Sequence, residues 1–402
     1  MATFRKWLDL SSPQAQRAAG QTAVSYTDEV FRVVPLVVEI NKKWDGLWKE
    51  PFKGVTNDGR VIPNLYPVED DGIPIQDIVN AGNAVISTLS DAQKKEVLRP
   101  LNAPERQAWS NPELYVHRFG VRLDEAAEDT RLAVLQLMKA TLSPEGFEKA
   151  LSAMRINGFL GELVGAPKVM NLYSYNFLQF AEPSTIKPWG WMLYGHHLCL
   201  SVFLHKSQIM VTPTFTGAEP NMVDSGPWKG VQILTEEEEL GLEFMQRLPT
   251  HLQQKAQIYK QMHDPKMPES RWNPADQRHI CGAFQDNRVV PYEGVRLAEL
   301  DKPFTDLLLK IVSQFLLYLP HKALENRLAQ ILEHAGETYF CWIGGFGNDD
   351  AFYYRIQSPV VVCEFDHHSG VFLSNEEPAK FHVHTIVRSP NGGDYGYALL
   401  SQ

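Results

Sequence analysis

Val360-Val361-Val362-Cys363-Glu364-Phe365-Asp366-His367-His368 and, one polar loop later, Phe381-His382-Val383-His384-Thr385-Ile386-Val387-Arg388 read as two β-strands. Both runs are rich in β-branched and aromatic residues and are bounded by turn formers. Side chains on a strand alternate with a period of two, so His382 shares a face with His384, and Glu364 shares one with Asp366 and His368. Two imidazoles on one face make half of a metal site. A third source lies upstream, in Trp189-Gly190-Trp191-Met192-Leu193-Tyr194-Gly195-His196-His197-Leu198-Cys199-Leu200-Ser201-Val202. Read as one strand, this segment points its adjacent histidines to opposite faces. His197 then sits with Cys199 and Ser201, and His196 with Leu198, Leu200 and Val202. The more polar face suits a cavity, which makes His197 the preferred ligand and His196 its reserve.

The rest of the chain frames these strands. Residues 1–180 read as mainly helical. An apolar segment with Phe31, Val34, Val37, Val38 and Ile40 is interrupted by Pro35, which predicts two shorter helices or a kinked one. Residues 51–74 are dense in turn formers and predict a long loop. Ser90 with Gln93 forms a capping-box pattern that starts a helix running to Leu98, and Ser143-Pro144-Glu145 starts another. From residue 181 onward the pattern is β-rich, with helices near 235–262 and 303–335. Thr235 with Glu238 reads as a further capping box, and the acidic run Glu236 to Glu239 as a solvated first turn. Leu89-Ser-Asp-Ala-Gln93 weakly echoes Leu248-Pro-Thr-His-Leu-Gln253, which shared helix-start chemistry explains as well as an internal repeat does. The fold class that follows is α+β, a helical N-terminal portion packed on a largely antiparallel C-terminal sheet, in two lobes or one continuous domain.

Composition narrows the function. The chain has 402 residues, 44% hydrophobic and 21% charged, with a formal net charge of −10. No basic stripe occurs, which argues against nucleic acid or an anionic membrane as partner. No segment has the ~20 apolar residues needed to span a bilayer, and the N-terminus lacks a secretory apolar core. Cys199, Cys281, Cys341 and Cys363 are widely spaced and suit a reducing compartment. The expectation is a cytoplasmic protein acting on a small-molecule substrate.

The blocks Trp189-Gly190-Trp191, Gly195-His196-His197-Leu198, Thr212-Pro213-Thr214-Phe215-Thr216-Gly217-Ala218-Glu219-Pro220, Phe352-Tyr353-Tyr354-Arg355-Ile356-Gln357, Glu364-Phe365-Asp366-His367, His382-Val383-His384-Thr385 and Asn391-Gly392-Gly393-Asp394-Tyr395-Gly396 occur in that order. In order and spacing the chain resembles, over nearly its whole length, the family catalogued as domain of unknown function 3500. The resemblance implies no particular activity. It matches recurring family blocks at His196, His197, Glu364, Asp366, His382, His384, Arg388 and Asp394, and His367 fits one variant of the block. Histidines and carboxylates at fixed points resemble an active site more than a packing pattern.

The reading is a metal-dependent enzyme. His197, His382 and His384 are the ligands, Glu364 is a fourth ligand or general base, and Asp366 orients an imidazole. Zinc is the first expectation and Fe(II) the second, with metal-activated water doing hydrolytic or lyase chemistry. Arg388, four residues past His384, would hold a substrate carboxylate. Tyr354, Arg355, Trp191 and Asp394 are further candidates for a catalytic or substrate-binding wall. The alternatives are an Fe(II) or copper oxidase or oxygenase, a metal-free acid–base isomerase or lyase, and a non-catalytic binding protein built on a buried polar network. No Gly-x-Ser-x-Gly elbow occurs, which disfavours serine hydrolase chemistry.

Overall fold

Eight long strands form the body of the protein in a computed structural model that describes residues 3–400. They are β1 (Tyr175–Phe180), β2 (Trp189–Gly195), β3 (Leu198–His205), β4 (Gln208–Ala218), β5 (Tyr339–Gly344), β6 (Phe352–Gln357), β7 (Val362–His368) and β8 (Ala379–Arg388). The order across the sheet is β1-β2-β3-β4-β8-β7-β6-β5, every neighbouring pair antiparallel. Four short strands complete a twelve-stranded sheet at its two ends. Leu98–Arg99 and Val121–Arg122 pair with β1, and Gln257–Tyr259 and Val295–Arg296 pair with β5. The class is α+β, with the long strands in the C-terminal part, as the patterning predicts.

The helices form where their end signals stand. Ser90 and Gln93 make the reciprocal capping box that starts Asp91–Val97, and Ser143 caps Pro144–Leu163. Pro35 opens Pro35–Leu47 directly after Ala23–Val33, so the apolar N-terminal segment is two helices. One start differs from its reading. Thr235–Arg247 begins with no side-chain cap, because Leu234 precedes it in a left-handed conformation at φ 64°. Its acidic turn is solvated only in part: Glu236 and Glu239 are exposed, but Glu237 is buried against Lys149, and Glu238 pairs with Lys380 at 2.8 Å.

Each face of the sheet has its own cover. Trp191, Leu193, Leu200, Val202, Val383 and Phe365 point to the main core, where the long helices pack. Met192, Tyr194, Cys199, Phe215, Ile386 and Val362 point the other way, under Trp44, Trp109, Cys281 and Phe284 from the N-terminal helices and two long connections. This second face is where the histidines lie.

The element order runs twice. Helix Ile75–Thr88, helix Asp91–Val97, a strand parallel to β1, a strand antiparallel to β1, helices Glu128–Thr141 and Pro144–Leu163, and the meander β1–β4 make the first run. Helix Thr235–Arg247, helix Thr250–Ala256, a strand parallel to β5, a strand antiparallel to β5, helices Lys302–Phe315 and His321–Glu333, and the meander β5–β8 make the second. The two runs meet at β4 and β8, where Thr216 stands opposite Thr385. The echo between Leu89–Gln93 and Leu248–Gln253 falls at the same place in both runs.

Candidate metal centre

Strand alternation aims His382 and His384 from β8 at one spot, and the β2–β3 turn brings His197 to it. His384 Nε2 lies 3.1 Å from His382 Nε2 and 3.1 Å from His197 Nε2. Ligand nitrogens of the three residues all lie within 4.8 Å of one another. Two nitrogens held at 2.0–2.1 Å from one ion stand about 2.9 Å apart at a right angle and about 3.4 Å apart at a tetrahedral one. The spacing at His384 falls between those values.

His196 and His197 are not on a strand. They form the two-residue turn between β2 and β3, with His197 at φ 60°. The turn breaks the alternation, so the two rings do not point to opposite faces but stack with centroids 3.8 Å apart. The backbone of His197 is pinned on both sides: its N–H donates to the Asn111 carbonyl at 3.1 Å and its carbonyl accepts from Gly217 N–H at 2.8 Å. Gly217 pairs directly with His384. A Cβ at Gly217 would stand 2.9 Å from the His384 ring and 3.0 Å from the His197 ring, so glycine makes the room that both imidazoles occupy.

The outer nitrogens fix the protonation of the inner ones. His382 Nδ1–H donates to the Ser369 carbonyl at 2.7 Å, since a carbonyl can only accept. His384 Nδ1–H donates to Asp276 Oδ1 at 2.7 Å. Both rings therefore present a bare lone pair at Nε2, and the two lone pairs face each other at 3.1 Å. Such a contact is repulsive until a cation stands between them. A proton is disfavoured in that role, because burial lowers the His384 pKa to about 4, against the opposing pull of Asp276. Burial and the neighbouring imidazoles push His197 well below its usual value, and burial takes His196 down to about 3. His197 and His384 are therefore held neutral and need lose no proton to bind a metal.

Around this triad lies a charged shell that sequence reading missed. Burial opposes the charge on Asp276, but His279 and His384 outweigh it and hold the carboxyl ionised. His279 is fully buried, with Nδ1 3.5 Å from Asp276 Oδ2 and a pKa raised, against burial, chiefly by that carboxylate. His368 stacks on His384 at 3.8 Å. Asp276 and His279 sit in the long connection between Gln257–Tyr259 and Val295–Arg296, where no periodicity marks an inward-facing residue. The only available signal was the polar run Asp276-Gln277-Arg278-His279 within an irregular segment of unusual length.

The other sequence candidates take places apart from the triad. Glu364 is fully buried and spends its oxygens on Ile280 N–H (3.0 Å), Cys281 N–H (2.8 Å) and the Tyr353 hydroxyl (2.6 Å). Asp366 pairs with Arg278 Nε at 2.6 Å and stands 3.0 Å from His368 Nε2. Arg388 donates to the carbonyls of Cys281 and Gly282 and pairs with Asp286 and Asp394, all buried. Burial raises the Asp394 pKa to about 6. Tyr354 points to the opposite, helix-covered face, where its hydroxyl donates to the Glu237 carbonyl. Trp191 lies in the same core, with Nε1 3.4 Å from Thr141 Oγ1. Arg355 is buried beside Glu293 at 2.8 Å. His196 donates from Nδ1 to Asn157 Oδ1 at 2.8 Å, which holds the ring that stacks on His197. The four cysteines are buried and unpaired.

The comparison with protein families falls on this same body. A family model described as "Protein of unknown function (DUF3500)" matches residues 71–397. The chain belongs to the DUF3500 family. The match spans both runs of the DUF3500 fold and every residue of the imidazole triad and its charged shell. No curated protein and no solved structure matches the chain. Among the described residues no helix is long and apolar enough to cross a membrane.

Proposed function

We propose that the chain is a metal-dependent enzyme in which His197, His382 and His384 hold one first-row divalent ion, zinc before any other. The observation that carries this reading is the pair of Nε2 lone pairs facing each other at 3.1 Å, each ring's proton being spent on an oxygen behind it. Backing oxygens of this kind are the usual partners of metal-bound imidazoles: they fix the tautomer and raise ligand basicity. Three protein nitrogens are the ligand count of catalytic zinc sites, which leave one position for water. With no carboxylate in the triad, the set supports zinc better than a two-histidine, one-carboxylate Fe(II) site. His197, His382 and His384 would hold the ion, which when bound would lower the pKa of a coordinated water to about 7 and so make hydroxide available for hydrolytic or lyase chemistry on a small organic substrate.

Elemental analysis tests the first half. Protein purified without chelator is expected to carry about one equivalent of metal, and a His382→Ala, His384→Ala double variant to carry almost none. Stoichiometric metal in the double variant removes the site. Assays of ester, lactone and amide panels before and after chelation test the second half. Loss of turnover with the fold intact supports catalysis, whereas loss of the fold on chelation assigns the ion to structure alone.

A further inference from the structure

Arg271 and Arg355 share the carboxylate of Glu293 on the same sheet face as the triad, away from it, and most of their N–H donors are left without an acceptor. Both are buried, at 6% and 1% exposure. Arg355 Nη2 donates to Glu293 Oε2 at 2.8 Å and to the Pro291 carbonyl at 3.1 Å. Arg271 Nη1 donates to the Arg278 carbonyl at 2.6 Å, and its Nε reaches that same Glu293 oxygen only at 4.0 Å. Four guanidinium nitrogens remain, Nε and Nη2 of Arg271 and Nε and Nη1 of Arg355, with no acceptor among the described residues.

Buried N–H donors without an acceptor are costly. A guanidinium cannot give up its proton, so burial cannot neutralise it as it does a histidine. Glu293 serves two cations with one carboxylate. Glu364 pairs with Arg355 in the strand register, but its oxygens are taken by two backbone amides and Tyr353. The Arg271 guanidinium lies over the Tyr353 ring at 4.7 Å, which fixes the fork in place. Glu293 is 29% exposed and Glu269 and Ser270 are at the surface, so solvent stands within one side chain of the pair.

We infer that Arg271 and Arg355 form a binding site for a small oxyanion, a carboxylate or phosphate group, held by paired guanidinium N–H donors. The site is independent of the imidazole triad. Arg355 stands beside Glu364, one strand nearer the sheet edge and two residues along from the row in which Asp366 meets His384.

Calorimetric titration of the full-length protein with inorganic phosphate and with acetate, against chloride at equal ionic strength, tests the inference. Saturable binding of at least one of them is expected, and the tighter of the two names the chemistry of the ligand group. Arg271→Gln should weaken that binding about tenfold or more. The His382→Ala, His384→Ala double variant should bind it as the wild type does. Binding lost in the double variant would place the anion on the metal and overturn the inference. So would equal binding in Arg271→Gln, or no binding of either anion, which leaves water to fill the four donors. Should Arg271→Gln fail to fold, a phosphate-soaked crystal of the wild type decides: density between the two guanidinium groups supports the site, and its absence sinks it.

Discussion

Glu364, on the sheet beneath the long connection, and Asp276, within that connection, are both buried carboxylates, and their surroundings give them opposite assignments. Glu364 anchors two consecutive backbone amides and a tyrosine hydroxyl. Glu364→Gln turns one acceptor into a donor facing N–H groups, and hydrogen bonds to a charged group contribute about 1.5–3 kcal/mol. The variant is expected to lose about 2–4 kcal/mol in urea unfolding while keeping its metal content; lost metal in a stable variant would return Glu364 to the site. Asp276 backs His384, so on the proposed metal site Asp276→Asn should weaken metal affinity about 10–100-fold in a competition titration, with the fold retained. Unchanged affinity would remove Asp276 from that role. His382 and His384 were legible in the sequence because strand alternation is a geometric rule. Asp276 was not, because an irregular loop carries no rule for which side chain turns inward.

The β2–β3 turn and the connection from Lys260 to Gly294 complete the site, and neither resembles a regular element in sequence. Adjacent histidines within an apolar, aromatic run read as strand, and nothing in the residue types announces the positive φ at His197. The long helices were legible through their caps and apolar stripes, except at Thr235, where the backbone of Leu234 closes the helix start without a side-chain cap. The connection is tied down by the Arg278–Asp366 pair at 2.6 Å, buried on both sides. Breaking such a pair from one side costs about 3–5 kcal/mol. Arg278→Met is expected to release amide protection across residues 264–282 in hydrogen exchange while the strands stay protected. Uniform loss of protection across the sheet would show that the pair holds the whole fold rather than this segment.

At the scale of the molecule, acid is the expected weakness. The His117 imidazole is wedged among Trp48, Phe119 and Phe284, and burial takes its pKa down to about 4. A histidine whose pKa falls on folding takes up its proton more readily when unfolded. Its contribution to stability is complete above about pH 6.5 and is lost as pH falls toward 4. His384 titrates in the same direction and adds to the slope in metal-free protein. The urea midpoint should therefore drop between pH 6.5 and 4, and His117→Phe should flatten that drop; an unchanged slope would exclude His117 as a contributor.

The doubled element order has a consequence for how such a chain arises. Two copies of one half-length protein, paired edge to edge through their last strands, would form a symmetric dimer in which residue i meets j and j meets i. Joined end to end, they give the topology seen here, with β4 and β8 as the former subunit boundary. A symmetric pair would carry two identical sites, one on either side of the axis. In the fused chain each half mutates alone: β8 carries His382 and His384, whereas β4 carries no histidine and sets Gly217 opposite His384 and the Phe215 ring against it. Divergence after such a duplication would leave the second half with the histidine pair of β8 and the first half with the turn that presents His197.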